Sequence, residues 1–194
     1  MEVLLTFTTS QRRKSTESLP EFRNGMMRAK EKRRKYRGKY WLTFLVLRFT
    51  GARHGEVHLI DDEKDIDYRT SEVKLWTLKQ RRKSQRMIPL PNQVVSEIAR
   101  YLMEYPEMKG KIFKIHPANF RKWFAEMVVQ AGVDKEKAHP HALRHTRAME
   151  MIRAGIPLTI IQSMLGHANL NSTAVYLRFS NVEAKMLMKE KRLI

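Results

Sequence analysis

The chain has 194 residues, enough for one domain with a small appendage and too few for two full-sized ones, and its 42% hydrophobic content can fill a sizeable core. With 38 Lys and Arg against 20 Asp and Glu, it carries a formal charge of +18, which points to a large acidic partner, nucleic acid first. Thiol catalysis, disulfides and zinc ribbons are excluded because there is no cysteine, and a membrane-spanning helix because the longest apolar run, Trp41 to Leu47, ends at Arg48.

At the N-terminus apolar residues precede Arg12, Arg13 and Lys14, the reverse of a secretory signal, so the expected compartment is the cytoplasm. Residues 11–40 hold twelve basic residues against Glu17, Glu21 and Glu31, an excess of nine that makes up half the net charge. Ser18 can cap a helix from about Pro20 to Arg34, and a second helix from about Lys39 to Thr50 is apolar enough to be central, with Gly51 ending it. A short helix from His54 to Leu59 and a polar turn around Asp61 to Lys64 follow.

Between Asp65 and Leu90 the texture becomes β-prone. Ile66 to Tyr68, Val73 to Leu78 and Arg86 to Leu90 predict a small antiparallel sheet whose last loop, Lys79 to Gln85, is cationic. After Pro91 the chain reads as helical throughout. Val95, Ile98 and Leu102 mark Asn92 to Glu104. Phe120, Trp123, Phe124, Met127, Val128 and Ala131 form one stripe on Pro117 to Ala131. Further helices fit Ala142 to Ala154, Leu158 to Leu165 and Val182 to Lys191, so the fold class is mostly α with a small antiparallel β-sheet (α+β).

Three segments concentrate reactive groups: TGARHGE (Thr50 to Glu56), HPHALRHT (His139 to Thr146) and LGHANLNSTAVY (Leu165 to Tyr176). They supply two arginines, several histidines and a tyrosine, with lysines in the cationic loop, a set suited to phosphodiester cleavage without a metal. In-line attack on a phosphate builds charge on its non-bridging oxygens, and fixed guanidinium forks hold that charge without reorganising. A tyrosine with pKa about 10 is roughly one part in a thousand ionised at neutral pH, so forming the phenolate costs about 4 kcal/mol, part of which nearby cations recover. The departing 5′ oxygen is a strong base and needs a general acid, a role open to a lysine of the loop. The histidines lack a carboxylate or fourth ligand at metal-binding spacing, so no metal is expected.

These segments resemble those of the tyrosine recombinases, the family of phage-type integrases and chromosome-dimer resolvases. There, TGxRxxE supplies the first catalytic arginine, HxLRHT a histidine and the second arginine, and LGH a further histidine, with the nucleophilic tyrosine nine residues on. The matching positions are Arg53 with Glu56, His141 with Arg144, and His167 with Tyr176; Arg144 and His167 stand 23 residues apart, also as in the family. The resemblance covers about residues 40–180. It implies cleavage by Tyr176, a 3′-phosphotyrosyl intermediate and resealing by a free 5′-hydroxyl, with no cofactor. The family also carries a catalytic lysine in this hairpin, for which Lys79 is favoured over Lys83, with Arg81 and Arg82 as phosphate contacts. Glu56 is expected to fix Arg53 through an ion pair, and His145 to support the site rather than react. Arg33 and Arg34 belong to the basic run expected to touch DNA.

The expected partner is duplex DNA, with a homotetramer on paired sites and a monomer in solution. The expected layout is an extension at 1–17, a catalytic domain at 18–180 and a tail helix at 181–194 that docks on a neighbouring protomer or folds back. Seventeen residues before Ser18 are too few for a second clamp-forming domain, which favours a piece of a longer integrase over a minimal one. Two rivals stay open, a type IB topoisomerase and a catalytically silent DNA-binding accessory protein. The presence of Arg53, Arg144 and Tyr176 weighs against the second.

Overall fold

The apolar run after the basic stretch lies in the middle of one long helix, α1 (Glu31–Thr50), and not in a helix that starts at Lys39. A computed structural model describes residues 31–77, 84–132 and 139–166, with side chains in α1 from Lys35 onward. The expected helix cap at Ser18 and residues 20–30 lie outside the described residues, as do the side chains of Arg33 and Arg34. The break expected between Arg34 and Lys39 is absent. Gly38 is there for space: a Cβ on it would lie 2.5 Å from Cε2 of Tyr101, whose hydroxyl donates to the Lys35 carbonyl at 2.6 Å. The glycine lets an aromatic ring lie flat against the helix. Beyond it, Trp41, Leu42, Leu45, Val46 and Leu47 are buried.

A short α2 (His54–His58) leads to the sheet, β1 (Ile66–Asp67), β2 (Glu72–Thr77) and β3 (Ser84–Pro89), antiparallel in the order β1-β2-β3. Ile66 pairs with Val73 and Val73 with Ile88, so the inward residues of all three strands meet on the core side. Thr77 pairs with Ser84 at the far end. Then come α3 (Asn92–Glu104), a 3₁₀ turn (Pro106–Met108), α4 (Pro117–Gln130), α5 (Pro140–Arg153) and α6 (Leu158–Leu165).

The expectation that the chain is helical throughout after Pro91 needs correction between α3 and α4. Pro106 cannot continue α3, and Gly110 adopts φ 70, so the segment runs irregularly while Met108, Ile112, Phe113 and Ile115 enter the core. Both helices that follow have proline at their first position, and each is capped by the preceding histidine. His116 Nδ1 accepts the Ala118 N–H at 3.3 Å and His139 Nδ1 the Ala142 N–H at 3.1 Å. On α4, Phe120 and Phe124 are buried and Trp123, Met127 and Val128 half-buried, whereas Ala131 is exposed.

One core gathers around α1, and a smaller one of Ala148, Met151, Ile161 and Leu165 joins α5 to α6. Cross-links fix α1 in place: the Trp41 indole donates to Glu97 on α3 at 2.9 Å, and Arg48 forms a two-pronged ion pair with Glu150 on α5. His54 packs on Phe120 with ring centroids 4.9 Å apart, and both of its ring nitrogens are buried with no hydrogen-bond partner among the described residues. Burial first, then the nearby His58, Arg121 and His116, lower its pKa to about 4.

Two predictions follow from this packing. Gly38→Ala gains helix propensity but forces the tethered Tyr101 ring aside, so a net loss of about 1–2 kcal/mol is expected, as for other overpacked sites. A thermal melt in which the variant exceeds the parent would show that the ring is free to move. His54 stays neutral when folded and takes up a proton near its ordinary 6.5 when unfolded. Its contribution is therefore full above about pH 6.5 and is lost as pH falls toward 4. His54→Phe should flatten that part of the acid-side decline; denaturant titrations at about pH 7 and pH 5 giving the same difference for both proteins would refute this.

Candidate functional site

Helix α6 ends at Gly166, whose φ of 66 is the left-handed turn that glycine adopts without strain. Its last carbonyls would otherwise lack partners and sit at the negative end of the helix dipole. Three arginines from distant parts of the chain take them up. Arg144, on α5 and only 2% exposed, donates from Nη2 to the Leu165 carbonyl at 2.7 Å and from Nη1 to the Gly51 carbonyl at 2.9 Å. Arg86, on β3, donates from Nε to the Met164 carbonyl at 2.8 Å and from Nη2 to that of Leu165 at 3.4 Å. Arg53, just before α2, donates from Nη1 to the Gly166 carbonyl at 3.4 Å.

Local chemistry places each of them. The Thr50 hydroxyl donates to the Val46 carbonyl at 2.5 Å and accepts the Ala52 N–H at 3.1 Å, which turns the chain out of α1. Gly51 has φ +65, and a Cβ there would lie 2.6 Å from the Leu165 side chain. The Glu56 carboxylate, fully buried, closes the next turn by accepting the Arg53 N–H at 2.9 Å. The same carboxylate takes Arg53 Nη1 at 3.1 Å on one oxygen and Arg86 Nη2 at 2.8 Å on the other. A carboxylate out of water is stable only with such partners. Among the described residues Arg53 Nε and Nη2 have no partner, so one edge of its fork stays open to an anion.

His141 and His145, one turn apart at the start of α5, both reach the surface, with rings edge-on at 4.9 Å. Partial burial lowers the pKa of each. The charges of His145, Arg144, His139 and Arg53 add to it for His141, those of His139 and Arg144 for His145. Both are thus neutral at physiological pH, and His141 feels both motif arginines.

Of the expected site residues, the fold brings together Arg53, Glu56, His141, Arg144 and His145. Lys79, Arg81, Arg82 and Lys83 fall in 78–83 and His167 and Tyr176 beyond 166, all outside the described residues, as is the tail helix. Residue 167 follows Gly166 directly, and 78–83 starts beside Thr77, whose Oγ1 accepts Arg86 Nη1 at 2.8 Å. Arg86 is the residue that sequence reasoning missed. The signal for it was its strand register: two before the buried Ile88, it is a charged side chain on the inward face of β3.

Comparison with known proteins adds independent findings. Residues 21–182 match the phage integrase family. A tyrosine recombinase of Thermosipho africanus is 36% identical over 103 residues, covering 50% of this chain and 36% of that protein. One from Pseudothermotoga lettingae is 30% identical over 148 residues, covering 74% and 50%. The chain thus spans half the length of these relatives or less. Among solved structures, the XerH site-specific recombinase bound to palindromic difH substrate superposes with TM-score 0.65 at 22% identity, covering 88% of this chain and 50% of that one. The fold is therefore that of a tyrosine recombinase catalytic domain, and with motifs, architecture and sequence matches in agreement, the chain belongs to the phage integrase family.

Proposed function

We propose that this chain is the strand-cleaving part of a site-specific DNA recombinase. The observation that carries the reading is the meeting of the two motif arginines, Arg53 and Arg144, on successive carbonyls at the end of α6, directly before His167. Two guanidiniums held by backbone acceptors and a buried carboxylate form a rigid cationic seat for a phosphate, and preorganised charge of this kind is worth more than charge that must be gathered during reaction.

In this reading duplex DNA binds the basic surface and one phosphodiester settles against the open edge of Arg53 and beside Arg144. The Tyr176 oxygen attacks phosphorus, and its proton passes to a neighbouring base, for which the neutral His141 imidazole is suited. The bond from phosphorus to the 5′ oxygen breaks as that oxygen takes a proton from Lys79, or from Lys83. His167, next to the helix end, donates to a non-bridging oxygen. The 3′-phosphotyrosyl bond conserves the energy of the broken one, so a free 5′-hydroxyl can reseal the strand by the reverse steps without nucleotide or metal. His145 supports the neighbouring His141, and Arg81, Arg82, Arg33 and Arg34 add contacts to phosphates along the duplex. Assembly into a homotetramer on paired sites, from a monomer in solution, completes the proposal.

Incubation with a nicked suicide duplex, from which the 5′ fragment escapes, tests the reading directly. The parent protein should become covalently attached to DNA, and Tyr176→Phe should bind equally well and attach to none. An adduct formed by the variant would move the nucleophile elsewhere. The general acid is assigned by a substrate with sulfur at the 5′-bridging position, since a thiolate leaves without a proton. Lys79→Ala should be slow on the oxygen substrate and restored on the sulfur one, while Lys83→Ala mainly weakens binding; the opposite pattern would assign the role to Lys83.

A further inference from the structure

Arg86 lies outside the motifs that carry the reaction just described, yet its side chain is engaged on every side at the site. Its guanidinium, 10% exposed, donates to the Met164 and Leu165 carbonyls, to the Thr77 hydroxyl and to the Glu56 carboxylate. With its donors engaged inside the protein, it has little left to offer a DNA phosphate. Its effect must pass through the groups it holds.

Charge decides which of those groups matters most. Glu56 is fully buried and holds Arg53 by both its backbone N–H and its guanidinium. If Glu56 and Arg53 were alone, the pair would be neutral, and the arginine facing the phosphate would have its charge cancelled by the carboxylate that positions it. Arg86 on the second oxygen of Glu56 supplies the missing positive charge. Within the trio, one carboxylate faces two guanidiniums, so a full positive charge remains for an anion at the open edge of Arg53. In a poorly solvated site that difference is felt strongly.

We propose that Arg86 is a positioning residue for strand cleavage: it neutralises buried Glu56 so that the carboxylate can orient Arg53 without cancelling its charge toward the phosphate. This rests on the recombinase reading above. Its grip on Thr77 and on the α6 carbonyls serves the same end, because it fixes Glu56 relative to the helix end and the base of the β2–β3 connection.

The test measures single-turnover attachment to the nicked duplex at saturating DNA, with DNA affinity measured separately. Arg86→Gln should slow attachment by about a hundredfold while affinity stays within about threefold, since the loss is in the reacting state rather than in binding. Removing the negative charge as well, in the double variant Glu56→Gln with Arg86→Gln, should speed attachment by about tenfold over Arg86→Gln alone, the reverse of what loss of a merely structural residue would do. Attachment by Arg86→Gln near the parent rate, or a double variant no faster than the single one, would overturn the proposal. Should Arg86→Gln not fold, Arg86→Lys decides: it keeps the charge and loses the fork, so a rate within about tenfold of the parent supports the proposal and a loss of a hundredfold or more overturns it. A parent protein that attaches to no DNA refutes the recombinase reading, and this inference with it, before any change at Arg86.

Discussion

The end of helix α6 is the point on which the site is built. A helix terminus buried among other elements leaves carbonyls that must find donors, and here the donors come from α5, β3 and the turn before α2. The partial negative charge at that end favours cations, so a requirement of folding also gathers guanidiniums in one place. Arg144 shows how completely the two are merged. It is among the largest fully buried side chains, and its guanidinium joins the turn after α1 to the end of α6 across much of the sequence. Loss of that side chain would remove a tie between elements and, in the proposed reading, a group beside the phosphate.

The buried carboxylate of Glu56 has the complementary role. It closes the turn that starts α2, fixes the arginine at that turn and receives another from the sheet. Several functions thus depend on one desolvated charge, which is stable because two guanidiniums surround it. Gly51 and Gly166 let this arrangement close. A side chain on the first would strike Leu165, and one on the second would lie 2.8 Å from Nη1 of Arg86. Gly51 and Gly166 are therefore explained by backbone turns and close approach alone, without appeal to the reaction.

Much of this was legible in the sequence, and the parts that were not share a cause. Asn92–Glu104 and Leu158–Leu165 were bounded correctly because proline precedes each and the apolar period is strong. The motif residues could be named because their spacing carries the family resemblance. The space that Gly38 provides is not readable locally, because the ring that needs it lies 63 positions away, on α3. The run after Glu104 misled because apolar content says that a segment is buried without saying that it is helical. Arg86 went unnoticed because its meaning depends on Glu56, Thr77 and the α6 carbonyls, which meet only when the sheet closes on the helix. Local pattern reveals elements and motifs; long-range pairing of charges does not show in it.

Arg53 is held from behind by Glu56 and Gly166, which in the proposed reading leaves its open edge to a phosphate, while Arg86 is engaged within the protein. Guanidinium ¹⁵N resonances of both side chains, followed as a short uncleavable duplex is added, test this most directly. A large change is expected at Arg53 Nε and Nη2, the donors without a partner among the described residues, and little at Arg86. A silent Arg53, or an Arg86 that shifts as much as Arg53, would contradict it.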